Sequence, residues 1–160
     1  MMRSCAVLFV LAIVGCGGSS TPAAAPVAKP DVCVADPAVA ATRIAKPEDV
    51  RCSQWDALGA TCNEKKDPAA CYQIGVCVKA QELGAKMSAE ERADHVKAAL
   101  ASLDIACDAG MSEACVLHLG VRMGDATEEP ADACIEYVRA CKLGDENGCF
   151  GCRNAGCNDK

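Results

Sequence analysis

The chain has 160 residues, with 16 Lys and Arg against 22 Asp and Glu, a formal net charge of −6. A scattered acidic excess of this kind disfavours nucleic acid and direct adhesion to anionic lipid, because neither offers the protein a basic footprint. Aromatic residues make up only 3% and cysteines number 14, so a core built on large rings is excluded and cross-links become the natural substitute.

The first residues, Met1, Met2 and Arg3, precede an apolar run from Cys5 to Val14 that closes on Ile13, Val14, Gly15 and Cys16. A basic start and a short apolar core describe an export signal, too short for a membrane span. The ending resembles the lipobox of bacterial lipoprotein precursors, with Ile13 at minus three and small residues before the cysteine. That resemblance implies removal of residues 1–15 and acylation of Cys16, which would tie the protein to a lipid bilayer in the bacterial cell envelope. Residues 16–30 are rich in Gly, Ser, Ala and Pro and read as a flexible linker. Residues 31–160 are then the folded domain, and twelve of the cysteines belong to it.

Within that domain, Asp36 and Pro37 open a short helix over 37–45 that Pro47 stops, and Cys33 and Cys52 flank it as a pair able to staple it to itself. A helix starts after Ser53 with Trp55 and Leu58 on one face. Asp67 and Pro68 begin another over 68–83, its apolar stripe made by Cys71, Ile74 and Val78, and Gly84 ends it. Ser88 and Glu91 form a capping box for a long helix over 89–108, with Val96, Leu100, Leu103 and Cys107 recurring on one face. Gly110 ends it, and Ser112 caps the next over 113–123, whose inward set is Cys115, Val116 and Leu119. Gly124 closes that helix. Pro130 opens one carrying Cys134, Tyr137, Val138 and Cys141 up to Gly144, and a short last element spans 145–155.

Two stretches repeat. "ACDAGMSEAC" from Ala106 to Cys115 and "ACKLGDENGC" from Ala140 to Cys149 match at both cysteines, the alanine and the glycine, with a looser copy from Thr61 to Cys71. In each bracket a helix ends, the chain turns and a new helix begins. Across a turn, cysteines eight residues apart can approach to the roughly 4 Å between Cβ atoms that a cystine needs, whereas along one helix they would stand about 12 Å apart. The expected pairs are Cys107 with Cys115, Cys141 with Cys149, and Cys62 with Cys71.

With Leu119, Gly120 and Val121, and more loosely Ile74, Gly75 and Val76, the brackets resemble the Sel-type repeats of bacterial cysteine-rich proteins, relatives of tetratricopeptide repeats. The resemblance implies an all-α fold of disulfide-stapled αα-hairpins forming a short solenoid, and a role in protein or peptide contacts. The 44-residue step from Cys71 to Cys115 and the stray Cys134 depart from that pattern.

Other chemistry is thinly signalled. Cys149, Cys152 and Cys157 contain a CxxC, but no second CxxC completes a zinc site and Arg153 stands where haem attachment needs histidine. His95 and His118 read as surface or packing histidines, and no serine has a nucleophile's setting. The expectation is therefore no metal, no cofactor and no catalysis. The chain reads as a lipid-anchored interaction module, with two alternatives, a structural envelope lipoprotein without a ligand and, behind it, a cell-wall-related hydrolase. An apolar groove would favour the interaction module and a uniformly charged exterior the structural lipoprotein.

Overall fold

The structure is a computed structural model that describes residues 30–82, 88–124 and 132–159. Among these it is all-helical, with α1 (Pro37–Ala40), α2 (Trp55–Lys65), α3 (Pro68–Glu82), α4 (Ala89–Asp108), α5 (Ser112–Met123), α6 (Ala133–Lys142) and α7 (Glu146–Asn154). Short 3₁₀ turns at Cys52–Gln54 and Cys157–Asp159 flank the set. No described helix is long and apolar enough to cross a membrane. The expected signal and linker, Cys16, Gly84 and Pro130 lie outside the described residues.

From α2 onward each helix packs on the next in chain order, and α3 also touches α5 and α5 touches α7. One core runs through α2 to α6, built on Leu58, Ile74, Val78, Leu103, Met111 and Val121 between buried alanines and cystines. Small residues make this close packing feasible. At Gly75 an added Cβ would come within 2.5 Å of the Leu103 side chain, so α3 and α4 cross where only glycine fits.

The helix ends follow from local chemistry. Asp36 accepts from the N–H groups of Ala38 and Val39, Asp67 accepts from Ala70 N–H at 2.7 Å, and the Ser88–Glu91 capping box is reciprocal. Gly110, at φ +104°, makes the left-handed turn after α4. Two local expectations are corrected, and one helix end is added to them. The first helix stops at Ala40 instead of reaching residue 45, because the chain leaves it to follow other elements. Lys66, at φ 53°, ends α2 in the left-handed region that its bracket has no glycine to occupy. Ser112 is the first residue of α5 and not its cap; its hydroxyl is buried against Glu113 and Asp145, and Met111 takes the cap position without a side-chain bond.

Six disulfides join the described cysteines. Three are the bracket pairs Cys62–Cys71, Cys107–Cys115 and Cys141–Cys149. The others are Cys33–Cys152, Cys52–Cys77 and Cys134–Cys157. Cys33 and Cys52 therefore do not staple their own segment; each fastens it to a different end of the helix array.

That segment, residues 30–52, is a strap running back along the bracket turns. It starts at the last helices, where Val32 N–H donates to Asn158 Oδ1 and Cys33 bonds Cys152. Asp36 N–H then reaches Lys142 O at 3.1 Å, and Ile44 N–H reaches Gly110 O at 3.0 Å. The Arg43 guanidinium bonds Glu113 at 2.7 Å, and Cys52 fixes the far end to α3 through Cys77. The strap explains Gly110 a second time, since a Cβ there would press on Thr42 O at 3.3 Å.

Candidate functional site

Two spaces between helices, one open and one filled, involve α4. The first opens between α2 and α4 over α3, with a volume of about 220 Å³, lined by Trp55, Gly59, Asn63, Ile74, Ala101 and Ile105 among others. Its character follows from small side chains. Gly59 in the middle of α2 meets nothing within 4 Å of where its Cβ would be, and Ala98 and Ala101 line the opposing α4 wall. Close by, Trp55 stacks on His95, ring centroids 5.4 Å apart and planes inclined by 26°. Two side chains from different helices thus meet, and the Nδ1 of His95 is buried without a hydrogen-bond partner among the described residues.

The second space, between α4 and α6 over α5, is occupied by an ion network. Glu136, on α6, is only 6% exposed, and Arg139 one turn later donates to both its oxygens at 3.0 and 3.3 Å. The same guanidinium bonds Asp108 and lies 3.5 Å from Asp104, both on α4. His118 rises from α5 between the walls, Nε2 3.7 Å from Asp104 and Nδ1 3.7 Å from Glu136. At the rim Arg122 holds Asp132 through two bonds of 3.0 and 2.8 Å. The Arg122 hydrogen bonds hold the Asp132 carboxyl below its ordinary range against the opposing effect of desolvation, and Asp132 reciprocally raises the arginine.

Laid over one another on the bracket cysteines, the two hollows use equivalent positions. Aligning Cys62 with Cys107 sets Gly59 on Asp104 and Asn63 on Asp108. Aligning Cys71 with Cys115 sets Ile74 on His118, and aligning Cys107 with Cys141 sets Ser102 on Glu136 and Ile105 on Arg139. The same frame therefore presents an open, mostly apolar trough at one step and a buried ion network at the next.

Of the residues singled out in the sequence, the six bracket cysteines are structural, all buried except the half-buried Cys149. Cys149 and Cys152 belong to different bridges, so the CxxC supplies neither a dithiol nor thiolate ligands in this oxidised form. The network residues Asp104, His118, Glu136 and Arg139 were not assembled from sequence, because they come from three helices and only the packing of those helices brings them together. Compared with family models, with curated proteins and with solved structures, the chain matches none.

Proposed function

We propose that the protein is a lipid-anchored helical repeat module of the bacterial envelope that binds a protein or peptide segment in the trough between α2 and α4. In this reading α2–α3, α4–α5 and α6–α7 are three Sel-like hairpins of a short solenoid, a reading supported by their packing in chain order and by the contacts of α3 with α5 and of α5 with α7. The observation that carries the binding role is the trough itself. Its volume of about 220 Å³ falls below the roughly 300–1,000 Å³ of small-molecule sites, and its walls of Trp55, Gly59, Ala101 and Ile105 suit one apolar side chain of a partner. Glycine in mid-helix costs roughly 0.5–1 kcal/mol relative to alanine, and the open space over Gly59 is what that cost provides here.

Replacing Gly59 by leucine sets a Cβ where nothing lies within 4 Å and adds a branched side chain to the trough wall. Immobilised full chain is incubated with envelope extract beside the G59L variant. A partner retained by the parent and released by the variant supports the reading; no retention, or equal retention by both, overturns it. The ion-filled second hollow favours the rival reading of a structural lipoprotein without a ligand, which the second pair of outcomes would support. Anchoring is tested separately by Cys16→Ser and membrane fractionation, and a variant that stays with the membrane refutes it.

A further inference from the structure

We propose that Asp104, His118 and Glu136 form a binding site for a divalent transition-metal cation of the zinc type, independent of the trough between α2 and α4. One ligand atom from each of the three lies within 4.8 Å of the others. A single ion takes one imidazole nitrogen: Nδ1 stands 3.7 Å from Glu136, while Asp104 lies 3.7 Å from the other nitrogen, Nε2, and must swing toward the first. Donor atoms around a four-coordinate zinc, each at about 2.0–2.2 Å from the ion, lie roughly 3.4 Å apart, so closing the set from within 4.8 Å asks chiefly for movement of the half-exposed Asp104 side chain.

Geometry is joined by an unmet demand. His118 is 7% exposed, and its Nδ1 is buried without a hydrogen-bond partner among the described residues while facing Glu136. An unsatisfied buried polar atom of this kind is destabilising, and a metal bond, or a carboxylate drawn closer by the ion, removes that cost. Charge points the same way. Asp104, Asp108 and Glu136 supply three negative charges against the single positive charge of Arg139, while Arg122 and Asp132 balance one another.

The donor set selects the metal. One imidazole with two carboxylates suits zinc and its neighbours, whereas magnesium and calcium prefer oxygen alone. Asp104 has a half-exposed side chain that gives an approach from solvent, and three protein ligands leave a fourth position for water. Cys107 and Cys115 are close to Glu136 but are bonded to each other and offer no thiolate. Arg139 is the built-in competitor. It holds Glu136 and approaches Asp104, so an entering cation displaces it from both, and its bond to Asp108 gives it a place to remain.

The test uses the untagged full chain with disulfides intact, stripped by chelator and titrated with zinc chloride by calorimetry. Cobalt chloride with visible absorption reports coordination in parallel. One ion per chain is expected, with four-coordinate cobalt bands. His118→Gln and Glu136→Gln should each weaken binding by at least roughly tenfold, a loss at least as large as that for supporting residues of metal sites, and Arg139→Gln should tighten it. Circular dichroism checks each fold, and the half-exposed Asp104→Asn replaces the two buried variants should either fail to fold. Absent binding, binding unchanged in these ligand variants, or weaker binding in Arg139→Gln overturns the site.

Discussion

The two spaces that α4 helps to form are built on one frame and filled in opposite ways. Between α2 and α4, glycine, serine and isoleucine leave an open trough; at the equivalent positions between α4 and α6, aspartate, glutamate, histidine and arginine close it with an ion network. The difference teaches that the bracket cysteines and small-residue crossings hold the helices at their spacing whatever stands between them. Solvent-facing side chains at the edge of each space are thereby freer to carry recognition or charge, while Ile74 beneath the trough stays in the core.

The comparison fails most completely if the shared frame is lost. Cys33–Cys152 closes the longest loop, with a sequence separation of 119, against 8 for Cys107–Cys115. On chain-entropy grounds the long bridge contributes about 5 kcal/mol and the short one about 2.5 kcal/mol. Replacing Cys33 and Cys152 together by alanine should therefore lower denaturant stability about twice as much as replacing Cys107 and Cys115. Equal losses would mean that the strap is not what restrains the array.

A smaller effect sharpens the contrast between the fillings. Arg139→Leu leaves the buried Glu136 carboxylate without its partner and should cost roughly 3 kcal/mol, whereas exchanging both for the residues of the first hollow, Arg139→Ile with Glu136→Ser, should restore most of that loss. Urea unfolding of the single and double variants measures both. A double variant as unstable as the single would show that the network itself, and not merely its unpaired member, is needed.

The smallest effect is a titration. Asp132 has a depressed carboxyl in the folded chain, so its contribution to stability is present above the ordinary aspartate range, near pH 3.9, and is lost as pH falls through its lower folded value. Arg122→Gln should move the Asp132 midpoint, followed by carboxyl NMR, back up toward the ordinary range. Ala98 holds the corresponding place in the first hollow and has no such response.

Much of the fold was legible because its signals are local. The Ser88 capping box with a periodic stripe marks α4 at both ends, and Asp36 and Asp67 announce their helices through bonds to the next few N–H groups. Each bracket lies within a single turn, where spacing alone restricts a cysteine's partners. Cys33, Cys52 and Cys134 have distant partners instead, and nothing near them records the route of the strap. Glu136 was hidden differently. It resembles any other charge on an acidic helix until Arg139 and His118 are folded against it, and the uneven steps between brackets obscure its equivalence to Ser102.

The strap has a mechanical consequence. Because Cys33 is bonded to Cys152, a pull between the two ends of the folded domain passes from the first few described residues through one S–S bond to the last few. Residues 34–151 hang from that link as a slack loop and carry almost none of the load. The oxidised domain should extend under tension by only its short flanking segments, and both hollows should keep their shape. Reduction would bring the whole array into the line of force, letting its helices peel away in turn.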